Sequence, residues 1–137
     1  MTVNKLSPED IADFPLSGRP FLHEQGQSVC RGFVVDFQIE DGSWTVTVRD
    51  VEYLDKLTGQ WHREVDRDEY GDTLSNHASF EEDTEDNMIC LTGYGIVIYV
   101  APACDSPWQM VEWPELDGYE GGVMDTSDKK RAGRKRR

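Results

Sequence analysis

The stretch from Phe33 to Val48 constrains the fold of this chain more than any other part of the sequence. It consists of two runs of alternating apolar and polar residues, FVVDFQIE and SWTVTV, separated by Asp41-Gly42. Asp-Gly in this position is the strongest short-range signal for a β-hairpin, because a type I′ turn needs positive φ at both central residues. The sequence therefore predicts two antiparallel strands joined by a two-residue turn.

Counting outward from the turn sets the register of the two strands. One face then pairs apolar residues with each other: Ile39 with Trp44, Phe37 with Val46 and Val35 with Val48. The other face pairs Gln38 with Thr45, Asp36 with Thr47 and Val34 with Arg49. A slip of one residue would exchange the two faces, so the turn and the hydrophobic pattern predict the same register. The alternation breaks at Asp50, which predicts a bulge or strong bend there.

Shorter patterns predict the remaining elements. Ser7-Pro8-Glu9-Asp10 is typical of a helix start, and Pro15 ends that helix. We expect a loop over 17–28, strands over 29–40, 43–54, 60–65, 88–92 and 96–100, and an edge strand over 108–113. The acid-rich stretch 64–86 interrupts the β pattern. There we expect either a short helix around 66–78 or a loop, followed by an exposed acidic loop over 81–86.

These elements indicate a mainly β fold, which is a small curled antiparallel sheet or a partly open barrel of about five or six strands with one or two short helices. The alternative is an α+β fold in which the helix around 66–78 packs on one face of the sheet. A chain of 137 residues supplies one core, so we expect a single acidic domain over 1–117. Residues 118–137, rich in glycine and charge, are expected to form a flexible tail with a basic terminus.

Several features indicate an intracellular protein. No apolar run approaches the ~20 residues of a membrane span, and the N-terminus lacks the pattern of a secretory signal. The three cysteines, Cys30, Cys90 and Cys104, have no close spacing. We expect free thiols in a reducing cytoplasm, with a single disulfide as the alternative.

Charge is the outstanding global property. The formal net charge is −13, but the last nine residues hold seven of the 14 basic residues, so residues 1–128 carry a net charge of −20. An acidic body of this kind repels nucleic acid and anionic lipid and attracts basic proteins.

The acids are concentrated in the stretch 64–86, which holds ten acidic residues and one basic residue. We expect a basic partner protein to bind there and at the neighbouring edge strand with its tryptophans. The predicted partner-binding residues are Asp66, Asp68, Glu69, Asp72, Glu81, Glu82, Asp83, Glu85, Asp86, Trp108 and Trp113. The plain alternatives are that the acids form a solvated surface and that the tryptophans fill a core poor in leucine.

The sequence carries no motif for a reaction. Asp66 to Asp72 resembles the start of a calcium loop, but Tyr70 and His77 stand where carboxylates or amides are needed. The histidines and cysteines lack the local pairs typical of zinc sites. We therefore expect no catalytic residue, no metal and no cofactor. A small enzyme that uses carboxylates, or Cys90 with His62 or His77, remains an alternative, because catalytic partners are close in space rather than in sequence.

The first functional hypothesis is accordingly a non-catalytic protein whose acidic surface imitates nucleic acid and occupies the basic groove of a nucleic-acid-binding protein. Small inhibitors made by phages and mobile elements are often of this kind, which is an analogy rather than a derivation. The second hypothesis is a nucleic-acid-binding accessory protein that uses its basic arm. The residues of this arm are Lys129, Lys130, Arg131, Arg134, Lys135, Arg136 and Arg137. Neither hypothesis predicts an oligomeric state.

Overall fold

The structure is a computed structural model that describes residues 3–26 and 28–114. Nine strands occur in these residues: β1 (Val3–Leu6), β2 (Pro20–Gln25), β3 (Ser28–Glu40), β4 (Ser43–Asp55), β5 (Gln60–Arg63), β6 (Glu69–Thr73), β7 (Ser79–Asp83), β8 (Met88–Gly93) and β9 (Ile96–Val100). The two short helices are α1 (Pro8–Ala12) and α2 (Pro107–Met110). The predicted mainly β class is confirmed, with more strands than the five or six expected.

All nine strands belong to one antiparallel sheet that is not closed into a barrel. Its order is β1-β7-β8-β9-β2-β3-β4-β5, and β6 also pairs with β4. The sheet curls strongly, because the Phe80 ring on β7 lies 5.9 Å from the Trp44 ring on β4. The short connection 74–78 joins β6 to β7, and β7 lies between β1 and β8.

The hairpin formed by β3 and β4 has the predicted turn. Asp41 and Gly42 adopt φ values of 52° and 75°, as a type I′ turn requires. The predicted register is confirmed from Glu40↔Ser43 as far as Asp36↔Thr47.

Beyond that point the prediction fails by one residue, because Val34 rather than Val35 pairs with Val48. Val35 is the extra residue of a β-bulge, and its side chain is exposed rather than buried.

A second bulge provides the predicted bend near Asp50. The register shifts between the pairs Phe33↔Arg49 and Arg31↔Glu52, and Asp50 itself adopts a φ of 54°. The bend divides β4 into two halves with different partners. The first half pairs with β6 over Ser43–Thr47, and the second half pairs with β5 over Glu52–Asp55.

The curled sheet has a hydrophobic cluster on each face. The inner cluster contains Trp44, Phe80 and Ile98, and it is closed by Ile11 of α1. The outer cluster contains Leu22, Val29, Ala101 and Trp113, with Trp61 and Trp108 packed against it. The strand β2 lies between the two clusters and is therefore buried on both faces.

The burial of β2 corrects the prediction of a loop over 17–28. The prediction rested on residues that are common in loops, namely Gly18, Pro20 and Gly26. Pro20, however, is the first residue of the strand, where a missing N–H is tolerated. Gly26 belongs to the turn into β3 and adopts a positive φ. The strand β1 was not predicted either, and it pairs with β7.

Three further predictions are wrong. Residues 66–78 contain strand β6 instead of a helix, because the backbone of β6 pairs with β4. The acids 81–83 lie in strand β7 instead of a loop, and only the turn 84–87 projects from the sheet. Residues 108–113 form α2 and an irregular segment instead of an edge strand, since Pro107 occupies the first helical position.

The first helix is as the sequence predicts. The Ser7 hydroxyl accepts a hydrogen bond from Asp10 N at 3.1 Å, and the Asp10 carboxylate accepts one from Ser7 N at 3.3 Å. This reciprocal capping box fixes where the helix begins.

Candidate interaction site

The most distinctive surface feature is a cleft along β6. It has a volume of about 490 Å³ and lies between β6 on one side and the ends of β2 and β9, at Gln25 and Ile96, on the other. The floor includes Trp44 and Tyr70. A strand therefore forms one complete wall of this cleft.

The register between β4 and β6 determines which backbone groups face the cleft. Val48 N donates to Asp68 O at 2.9 Å, and Leu74 N donates to Gly42 O at 2.7 Å. Since hydrogen-bonded positions alternate along an antiparallel pair, the even-numbered residues of β6 bond to β4. The N–H and C=O groups of Glu69, Gly71 and Thr73 consequently point away from β4, and all three residues line the cleft.

Two features hold β6 in this position. A side chain on Gly71 would place its Cβ 2.3 Å from Trp44 O, so only glycine allows β6 to approach β4 this closely. The Asp72 carboxylate accepts hydrogen bonds from Tyr94 N and from Thr73 N, both at 2.7 Å. Asp72 thus links β6 to the turn between β8 and β9. Its carboxylate is half-buried and makes these structural hydrogen bonds, whereas the sequence predicted that it would bind a partner.

Three exposed acidic side chains lie at the start of β6 and in the connection that leads into it. Asp66 and Asp68 lie in the connection between β5 and β6, Glu69 begins β6, and all three are exposed. Within the described ranges their carboxylates form neither an ion pair nor a hydrogen bond. We call Asp66, Asp68, Glu69 and the unpaired backbone of β6 the acidic edge. Arg67, the base between them, lies over the Tyr70 ring at 4.8 Å.

The acids of β7 form a separate group, and two of them already make an ion pair or a hydrogen bond. Glu81 pairs with Lys5 at 3.4 Å, and the Asp83 carboxylate accepts a hydrogen bond from Glu85 N at 3.0 Å. Burial lowers the pKa of Arg19, and the nearby Glu82 carboxylate opposes this shift. Asp86 lies in the exposed turn after β7. The structure thus distributes the predicted acids over two strands rather than gathering them into one patch.

The two candidate tryptophans belong to an aromatic stack on the outer face. Trp113 is buried, its Nε1 donates to Pro107 O at 3.0 Å, and its ring stacks on Trp108 at 5.6 Å. The Arg31 guanidinium lies between the rings of Trp108 and Trp61, at 4.9 and 4.1 Å. It also pairs with Glu52 at 2.8 Å. This stack fastens the segment after β9 to the sheet, and Trp108 is the more accessible of its two predicted site residues.

A buried polar cluster inside the curled sheet was missed by sequence reasoning. The His23 ring stacks on Tyr70 at 3.9 Å and is only 2% exposed. Neither ring nitrogen makes a hydrogen bond of good geometry. Burial lowers the pKa of His23 to about 3, with Arg67 acting in the same direction. Burial also raises the pKa of Tyr70 and of the Cys30 thiol beside it. The apolar neighbours of His23 in the sequence were the available signal.

Cys90, His62 and His77, the candidates for a small enzyme site, each contact different neighbours. Cys90 contacts the Thr92 hydroxyl at 3.5 Å, and burial raises the pKa of its thiol, which is the opposite of activation. His62 contacts Asp55 at 3.6 Å and the Tyr53 ring, whereas His77 contacts the Tyr94 ring. Among the described residues neither histidine forms a hydrogen bond with Cys90.

The described residues contain neither a candidate metal centre nor a candidate membrane-spanning helix. In residues 3–26 and 28–114 no group of three or more His, Cys, Asp or Glu side chains could hold a metal ion. Cys30, Cys90 and Cys104 are free thiols. Within the same ranges no helix has the length and hydrophobicity to cross a membrane. The candidate nucleic-acid-binding residues Lys129 to Arg137 lie outside the described residues, as does the predicted tail over 118–137.

Comparison with known proteins adds no relative. No protein-family model matches the chain, and neither a curated protein nor a solved structure shows significant similarity to it.

Proposed function

We propose that the chain is a non-catalytic protein that binds a basic, nucleic-acid-binding partner protein through its acidic edge. The observation that carries this proposal is the group of exposed carboxylates of Asp66, Asp68 and Glu69, which have no partner in the described part of the chain. Glu69 lines the open cleft, and Asp66 and Asp68 lie in the connection just before it. Glu81 and Glu52, by contrast, already have a basic partner.

The global charge supports the same class of partner. The described residues contain 22 acids and seven bases, a formal net charge of −15. A field of one sign speeds the association with a surface of the opposite sign and rejects nucleic acid and anionic lipid. The basic groove of a nucleic-acid-binding protein is such a surface, and a protein that occupies it acts as an inhibitor of nucleic-acid binding.

The test begins with affinity purification of the intact protein from its own cell. The partner that copurifies is then purified, and its affinity is measured for the wild type and for a variant with Asp66, Asp68 and Glu69 changed to Lys. The matched control changes Asp13, Asp105 and Glu112 to Lys, because these acids are exposed elsewhere on the surface and alter the net charge equally.

We expect the acidic-edge variant to lose at least about tenfold in affinity and most of its salt dependence, while the control stays within about threefold. The wild type should also displace nucleic acid from the partner. Equal losses in the two variants, or a partner that carries no basic surface, would overturn the proposal.

A further inference from the structure

We infer that the partner contributes an extended basic segment that binds as an additional strand on the edge of β6 that pairs with no other strand in residues 3–26 and 28–114. This inference rests on the proposed function, since it describes how the acidic edge would hold its partner. In such a complex the main chain supplies affinity through hydrogen bonds, and alternate side chains supply specificity.

The backbone of β6 offers a suitable set of hydrogen-bonding groups. Glu69 and Gly71 each present an N–H and a C=O away from β4. Thr73 presents its C=O, while its N–H already bonds to the Asp72 carboxylate. These groups form a row of two donors and three acceptors. Edge strands of this kind are templates for pairing with another chain.

The side chains around the edge define the sequence that would fit. Glu69 has an exposed carboxylate, and a basic residue directly opposite it would form a favourable cross-strand pair. Gly71 has no side chain, which leaves room for a long one from the added strand. The other face of the added strand would lie over the cleft beside Trp44 and Ile96, where an apolar side chain fits. A segment with alternating basic and apolar residues is the chemical match.

A second copy of this chain is the competing occupant. Pairing two β6 edges would bring together two acidic surfaces, each part of a body with a formal net charge of −15 over the described residues. Repulsion between like charges opposes that arrangement. A basic strand removes the same repulsion, and charge complementarity therefore favours a partner segment.

The probe is an eight-residue peptide of alternating arginine and valine, acetylated and amidated at its ends. If the peptide adds antiparallel with arginine opposite Glu69, the arginine N–H groups point at β6 and the valine N–H groups point away. Two peptides test this, one N-methylated at every arginine and the other at every valine. Both methylations alter the peptide backbone similarly, so they are matched controls for each other.

We expect the peptide methylated at valine to bind the full chain within about threefold of the unmodified peptide. The peptide methylated at arginine should bind at least about tenfold more weakly, because a lost hydrogen bond leaves the edge unpaired. On the protein, Glu69→Gln should weaken binding through the lost charge. Glu69→Pro should weaken it further, because it also removes an edge-facing N–H at the first residue of the strand, where proline is tolerated.

Several outcomes would overturn the strand-addition model. Equal affinities of the two methylated peptides would do so, as would failure of the unmodified peptide to bind a protein that still binds its basic partner. In both cases the proposed function survives if the acidic-edge variant binds the partner protein much more weakly than the wild type does. Sedimentation showing self-association that Glu69→Pro abolishes would identify a second copy as the occupant. If the wild type binds neither the peptide nor any basic partner protein, the proposed function is overturned as well.

Discussion

Acid sensitivity should originate largely in His23, a single imidazole inside the curled sheet. Its pKa is about 3 in the folded chain, because burial disfavours the charged form, and about 6.5 in an unfolded chain. Between pH 3 and pH 6.5 the imidazole is therefore protonated in the unfolded state and neutral in the folded state. Stability from this group is fully present above pH 6.5 and is lost progressively as the pH falls towards 3.

The size of the effect follows from the two pKa values. Between pH 7.5 and pH 5.0 the free energy of unfolding should fall by about 2 kcal/mol through His23 alone. The ordinary pKa of a carboxyl group is about 4, which lies below this interval. With a urea m-value of roughly 1–3 kcal/mol per molar, the unfolding midpoint should move down by roughly 1 M.

The assay is urea unfolding followed by circular dichroism at pH 5.0 and 7.5. His23→Gln should remove most of this pH dependence, whatever its stability at pH 7.5, and His23→Phe serves if the glutamine variant does not fold. His77→Gln removes an exposed imidazole and is the matched control. The reasoning is refuted if His23→Gln keeps the wild-type difference, or if His77→Gln loses as much of it.

Three substitutions test the packing, each by urea unfolding against the wild type. Gly71→Ala should lower the free energy of unfolding by about 2 kcal/mol or more, because its Cβ would lie 2.3 Å from Trp44 O. Thr73→Ala, on the same exposed face, should change the free energy of unfolding by less than about 0.5 kcal/mol. Gly42→Val should cost about 1–3 kcal/mol from the φ of 75° alone, since no atom lies within 4 Å of the new Cβ, and Gly42→Asn should cost less. Trp113→Ala should cost about 3–5 kcal/mol, against a negligible effect of Met110→Ala at an exposed position. Equal stability of any of these variants and its control would contradict the corresponding packing argument.

Local sequence signals predicted the hairpin and the first helix well. The Asp41-Gly42 turn and the Ser7 capping box each involve only a few consecutive residues, so their geometry can be predicted from the local sequence. The register failed at Val35, where a bulge inserts an extra residue. Alternation in one strand cannot show such an insertion, because it depends on the partner strand.

The elements that the sequence concealed are those defined by distant pairing. Strand β6 is acidic and contains Gly71, both unfavourable for a strand, and it exists because β4 bends at Asp50 and leaves its first half free to pair. The cleft follows from that pairing and could not be predicted without it. Two of the predicted acids, Glu69 and Asp72, line this cleft, and Asp66 and Asp68 lie in the connection that leads into β6, whereas Trp113 is buried in the core.

The position of β2 in the middle of the sheet has a consequence for the synthesis of the chain. This strand pairs with β3 immediately after it, but its other neighbour, β9, and the Trp113 ring that covers its outer face come about 75 to 90 residues later. On the ribosome the cluster of Leu22 and Val29 therefore lacks Ala101 and Trp113 until almost the whole described part of the chain has emerged, although Leu54 and Trp61 are already present. Folding is expected to complete in one late step, and a chain that ends before Pro107 should be retained by chaperones rather than fold.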